Sequence, residues 1–92
     1  MSEYIDIETE LGDDGVVLFH TNLKLTAVGG EEFYASVDEL EEGSPVAQAL
    51  AVVMGIETVA MNESKMTIIT LPGADWHAVI ADVTAALKDF FL

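Results

Sequence analysis

The sequence contains no cysteine and no arginine, two prolines, and three lysines (Lys24, Lys65, Lys88) against seventeen acidic residues. Without cysteine the chain forms no disulfide, internally or with a partner, and cannot hold zinc or an iron-sulfur cluster through thiolates. With so few cations and a formal charge of -14, it has little with which to displace the counterions of a phosphate backbone or an anionic lipid surface. Nucleic acid and membrane are therefore not expected partners. The same charge suits a basic protein, a metal cation, plain solubility, or a salt-rich cytoplasm. Long uncharged runs are also scarce. The longest, Gly43 to Ile56, falls short of the roughly 20 residues a membrane-spanning helix needs. The first ten residues, MSEYIDIETE, are acidic where a secretory signal is basic and then apolar, so a cytoplasmic location is expected.

What the sequence does have is apolar material: 51% of its 92 residues are hydrophobic, and no low-complexity tract interrupts them. A chain of this length makes one domain, residues 1–92, and buries roughly 60 to 65% of its unfolded surface.

Alternation from Tyr4 to Leu11 sets Ile5, Ile7, Thr9 and Leu11 against Asp6, Glu8 and Glu10, the period of a half-buried strand. Gly12-Asp13-Asp14-Gly15 is a turn, and Val16 to Phe19 resumes the apolar run, which predicts a hairpin. Leu23, Leu25 and Ala27 alternate with Lys24, Thr26 and Val28 as a third strand that Gly29-Gly30 ends. Phe33 to Val37 is a fourth strand or an extension of the edge. Gly43-Ser44-Pro45 then opens a helix: serine caps free amides, proline fits the first helical position, and the acidic run before it favours the positive dipole end. Val46, Leu50, Val53 and Met54 form its apolar stripe, and Gly55 closes it.

Ile56 to Met61 and Met66 to Leu71 are β-branched runs joined by Asn62-Glu63-Ser64-Lys65, the pattern of a second hairpin on a type I turn. Pro72-Gly73 breaks the run. Asp75 then caps a last helix in which Trp76, Val79, Ile80, Val83, Leu87 and Phe90 recur at three- and four-residue spacing. Two hairpins and two main helices that need one shared apolar surface predict an α+β two-layer sandwich. Its sheet is largely antiparallel, of four to five strands, with both helices on one face.

Residues that could carry chemistry are few. His20 and His77 stand outside any metal-ligand spacing. His77 falls on the helix side away from the core, and His20 belongs to a strand junction. Ser36, Ser44 and Ser64 sit in no nucleophile motif, and a small hydrolase using either histidine would need one. The glycines make neither a dinucleotide fingerprint nor a phosphate loop. Met54, Met61 and Met66 read as core filler. The densest carboxylate group is Asp38, Glu39, Glu41 and Glu42, a candidate for iron or another hard cation, although the spacing is not that of an EF-hand. Its simpler reading is a solvated acidic segment ahead of a helix.

Four separated blocks, "EEGSPVAQAL", "GIETV", "MTIIT" and "DWHAVIADVTAALKDFF", resemble in order and spacing the N-terminal domain of the NifU/Nfu iron-sulfur scaffold proteins. The match covers about two-thirds of the chain, from Phe33 onward. In the first third "HTNLKL" keeps Thr21, Asn22, Leu23 and Lys24 of the family's turn and Leu-Lys strand but neither of its prolines. In the last helix Val79-Ile80-Ala81 replaces the family's Leu-Lys-Pro, which leaves that helix more continuous. The family's cluster is held by a Cys-x-x-Cys motif in a separate C-terminal domain. The resemblance therefore implies a stand-alone copy of the accessory domain. Such a module helps iron-sulfur cluster assembly or delivery by binding another protein, with no catalysis and no cofactor of its own. The surfaces expected to meet that partner are the turn of His20, Thr21, Asn22 and Lys24 and the acidic run of Asp38, Glu39, Glu41 and Glu42.

Overall fold

The alternation at the start of the chain produces an antiparallel hairpin, in which β1 (Ile7–Leu11) pairs with β2 (Val16–Thr21), Ile7 opposite Thr21 and Leu11 opposite Val17. The computed structural model describes residues 6–13, 15–26 and 29–91. Tyr4 and Ile5, expected in the first strand, lie outside that range. β1 is an edge strand and is less buried than its alternation predicts. Only Ile7 is half-buried, while Thr9 and Leu11 are exposed.

Two expectations for the middle of the chain are not met, and hydrogen bonds outside the sheet ladder mark both places. Among the described residues of the expected third strand, Leu23 to Thr26, there is no strand. The Thr21 hydroxyl accepts from the Leu23 amide at 3.1 Å and lies 3.1 Å from the Ser64 carbonyl, while the Leu25 amide donates to Glu63 at 2.8 Å. The chain is thus tied to a distant turn as an irregular crossing, with Leu25 buried. Ala27 and Val28 lie outside the described residues. Further on, β3 (Glu31–Tyr34) stops before Val37, because Ser36 accepts from the Glu39 amide and starts a short helix, α1 (Val37–Glu41), which buries Leu40.

Helix α2 (Pro45–Leu50) begins as its sequence dictates, with Ser44 accepting from the Ala47 amide and proline in the first turn. It is shorter than the stripe suggests. Regular helix ends at Leu50, Val53 turns inward, and Met54 is left 84% exposed, so it is not core filler. Gly55 follows at φ +94, where a side chain would be strained.

β4 (Ile56–Asn62) and β5 (Lys65–Thr70) form the second hairpin, leaving only Glu63 and Ser64 outside the strands. After it, Asp75 Oδ1 accepts from the His77 amide at 3.0 Å and opens α3 (Trp76–Phe91). Val79, Val83 and Leu87 of its stripe are buried, and Trp76 and Ile80 are half-buried. Phe90 is 43% exposed, and Phe91 packs on the core in its place.

The five strands make one antiparallel sheet in the order β1-β2-β5-β4-β3. Val17 and Phe19, Met66 and Ile68, and Ile56, Val59 and Met61 point to one side. There they meet Leu40, Val46, Leu50, Val53, Val79, Val83 and Leu87 from the helical layer. The architecture is the expected two-layer α+β sandwich with three helices on one face. Among the described residues no helix is long and apolar enough to cross a membrane.

Candidate functional site

Because successive side chains of a strand alternate faces and register partners share one, the pairing defines what the uncovered side of the sheet displays. One row across it runs Glu10, Leu18, Thr67, Ala60, Phe33. Towards the β4–β5 turn lies a polar row in which Glu8 faces His20, His20 faces Lys65, and Asn62 faces Glu31. On the other side lie Val16, Ile69 and Thr58. The centre of this open face is therefore apolar or small, and its margin is acidic.

Phe33 is the prominent member. Its register partner is Ala60, too small to cover a phenyl ring, and it remains 64% exposed on an edge strand. Beside Phe33 and over the small side chains of Ala60 and Thr67, an open groove of about 460 Å3 forms, bounded also by Glu31, Asn62 and Lys65. His20 stands beside it, half-exposed, with Nε2 3.1 Å from Glu10 Oε2, a diagonal cross-strand pair.

No family model matches the chain, and no curated protein matches it. Among solved structures, protein SAV1430 from Staphylococcus aureus has a similar fold. The TM-score is 0.69 at 15% identity, over 89% of this chain and 94% of that one. At that identity the likeness shows the fold alone.

The residues singled out from the sequence divide between the two layers. His20 lies on the open face. Thr21 and Asn22 are occupied at the strand junction, Thr21 as described and Asn22 through its Oδ1, which accepts from the Asp6 amide at 3.0 Å. Lys24 is exposed on the crossing beyond them. Asp38, Glu39 and Glu41 belong to α1, in the opposite layer, with Glu42 at its C-cap. The fold therefore does not bring the two expected surfaces together. A helix turns about 100° per residue, so Asp38 and Glu39 leave α1 in different directions. Among the described residues no group of three or more His, Asp or Glu could hold a metal ion.

His77 is exposed, as its helical position predicts. Its ring stacks on Trp76 with centroids 3.5 Å apart and lies 3.5 Å from Asp75. Ser36 and Ser44 serve as helix caps. What sequence reading missed is the open face itself. Its cue was Phe33, an aromatic in an acidic, short strand, but nothing in the sequence says which side of the sheet the helices will cover.

Proposed function

We propose that this chain is a non-catalytic binding module that serves iron-sulfur cluster assembly or delivery by contacting another protein in the cytoplasm. The observation that carries the binding half of this reading is the open sheet face, with an apolar centre, an exposed Phe33 and an acidic margin. A large aromatic left in water on an uncovered surface is a common mark of an interaction site. The iron-sulfur half rests on the resemblance of the four sequence blocks to the NifU/Nfu N-terminal domain. With no cysteine among these 92 residues, thiolates that hold a cluster would come from outside them.

The test is co-purification of the purified chain with the cluster scaffold, carrier and recipient proteins of its own cell, each offered separately. A saturable complex with at least one of them is expected. Failure with all of them, alongside reproducible capture of a partner with no cluster chemistry, would remove the iron-sulfur assignment.

A further inference from the structure

We propose that the open face docks a cationic segment of another protein, which seats one apolar side chain over Ala60 and Thr67 against Phe33. Its lysine or arginine side chains then lie against Glu8, Glu10 and Glu31. This inference rests on the protein-binding reading above and deepens it, naming the surface and the chemistry of what covers it.

Three observations converge. The first is shape: the small side chains of Ala60 and Thr67 leave the groove of about 460 Å3 with Phe33 as one wall. A partner side chain placed there covers the exposed face of Phe33, the arrangement of an interface anchor. The second is charge. The margin carries Glu8, Glu10 and Glu31 against Lys65, in a chain of formal charge -14. A second copy would bring the same carboxylates to the same rim, and like charges brought together oppose docking. Cations at the rim gain attraction and suppress acidic competitors. The third is size. Five strands and three rows span about 19 Å by 14 Å between backbone centres, the footprint of a peptide segment more than of a whole domain.

The test begins with a display library of short random peptides selected against the intact chain. Affinities are then measured by fluorescence anisotropy, and the site is mapped by backbone amide chemical shifts. Enriched peptides are expected to carry an aliphatic or aromatic residue flanked by lysine or arginine, with saturable shifts confined to the strands of the sheet, β1 to β5. Phe33→Ser and Thr67→Glu should each weaken binding about tenfold or more while leaving cooperative thermal unfolding intact, and binding should weaken as salt is raised.

Lysine- and arginine-rich peptides with no apolar requirement, indifferent to Phe33→Ser and shifting the α1 carboxylates as much as the sheet, would reduce the effect to general charge attraction and overturn the proposal. So would the absence of any enriched sequence, or a peptide-free dimer that Phe33→Ser dissociates, since a second copy would then own the face. The two readings fail separately. A specific complex with an iron-sulfur protein whose footprint lies on α1 leaves the function standing and removes this surface. Selected peptides on the open face, with no such complex, do the reverse.

Discussion

Gly43 lies against the phenol of Tyr34: a Cβ at position 43 would come within 2.7 Å of the ring carbon bearing the hydroxyl and of the hydroxyl oxygen itself. The same hydroxyl accepts from the Ser44 amide at 3.2 Å and donates to the Glu32 carboxylate. The edge strand β3 and the start of α2 are thus held through one side chain. Gly43→Ala should destabilise the domain by about 1 to 3 kcal/mol, the usual cost of overpacking. In a denaturant double-mutant cycle, Tyr34→Ala should absorb much of that cost. Equal effects of Gly43→Ala in the two backgrounds would show that the contact is not the cause.

Val83 is fully buried at the centre of the α3 stripe. An aspartate there has no cation to meet, since the core around it is apolar. The cost of burying an unpaired carboxylate is comparable to the ~5 to 15 kcal/mol total stability of a small domain. Val83→Asp should therefore abolish cooperative unfolding by circular dichroism. Ala85→Asp, two residues on at an exposed position, should change stability by no more than about 0.5 kcal/mol.

Ser44 and Asp75 each satisfy an amide at a helix start. Replacement of either by alanine should cost about 1 kcal/mol, or about 4 to 8 °C in thermal midpoint for a domain of this size. The two sites open different helices, so the losses should add. Additivity is read directly from the double variant.

Titration calorimetry with ferrous iron, calcium and magnesium addresses the carboxylates of α1. Side chains dispersed around a short helix do not converge as a hard cation requires, and no saturable heat is expected. A saturable signal removed by changing Asp38, Glu39, Glu41 and Glu42 to their amides would instead establish that run as a cation site.

Much of this architecture could be read from residue spacing, and the exceptions have identifiable causes. The α3 stripe and the β4–β5 hairpin announce themselves because long periodic segments carry redundant information. The short helix α1 has three acidic residues among its five, and five residues show no period. Its one cue was Ser36 three residues ahead of Glu39, a capping-box spacing. Leu23 to Val28 alternates like a strand, yet the contacts that hold Leu23 to Thr26 outside the sheet come from Glu63 and Ser64, too distant in sequence for a local pattern to reveal. Met54 and Phe90 each continue a stripe by arithmetic. The helix before Met54 has already ended at Leu50, and Phe91, adjacent to Phe90, takes the inner place. The open face eluded prediction because "MTIIT" is apolar on both sides, and alternation cannot tell the covered side from the bare one.

The strand that completes the first hairpin is not its neighbour in the chain. Val16 sits opposite Ile69, and both the amide and the hydroxyl of Thr70 reach the Gly15 carbonyl, at 3.0 and 2.9 Å. During translation β1 and β2 leave the ribosome with Val17 and Phe19 bare, and their inner neighbour appears only after β3, both short helices and β4 have been made. The amino-terminal ribbon must then wait as an orphan, so the sheet closes late, and a nascent chain stalled before residue 70 presents a greasy, half-built edge to whatever chaperone is nearest.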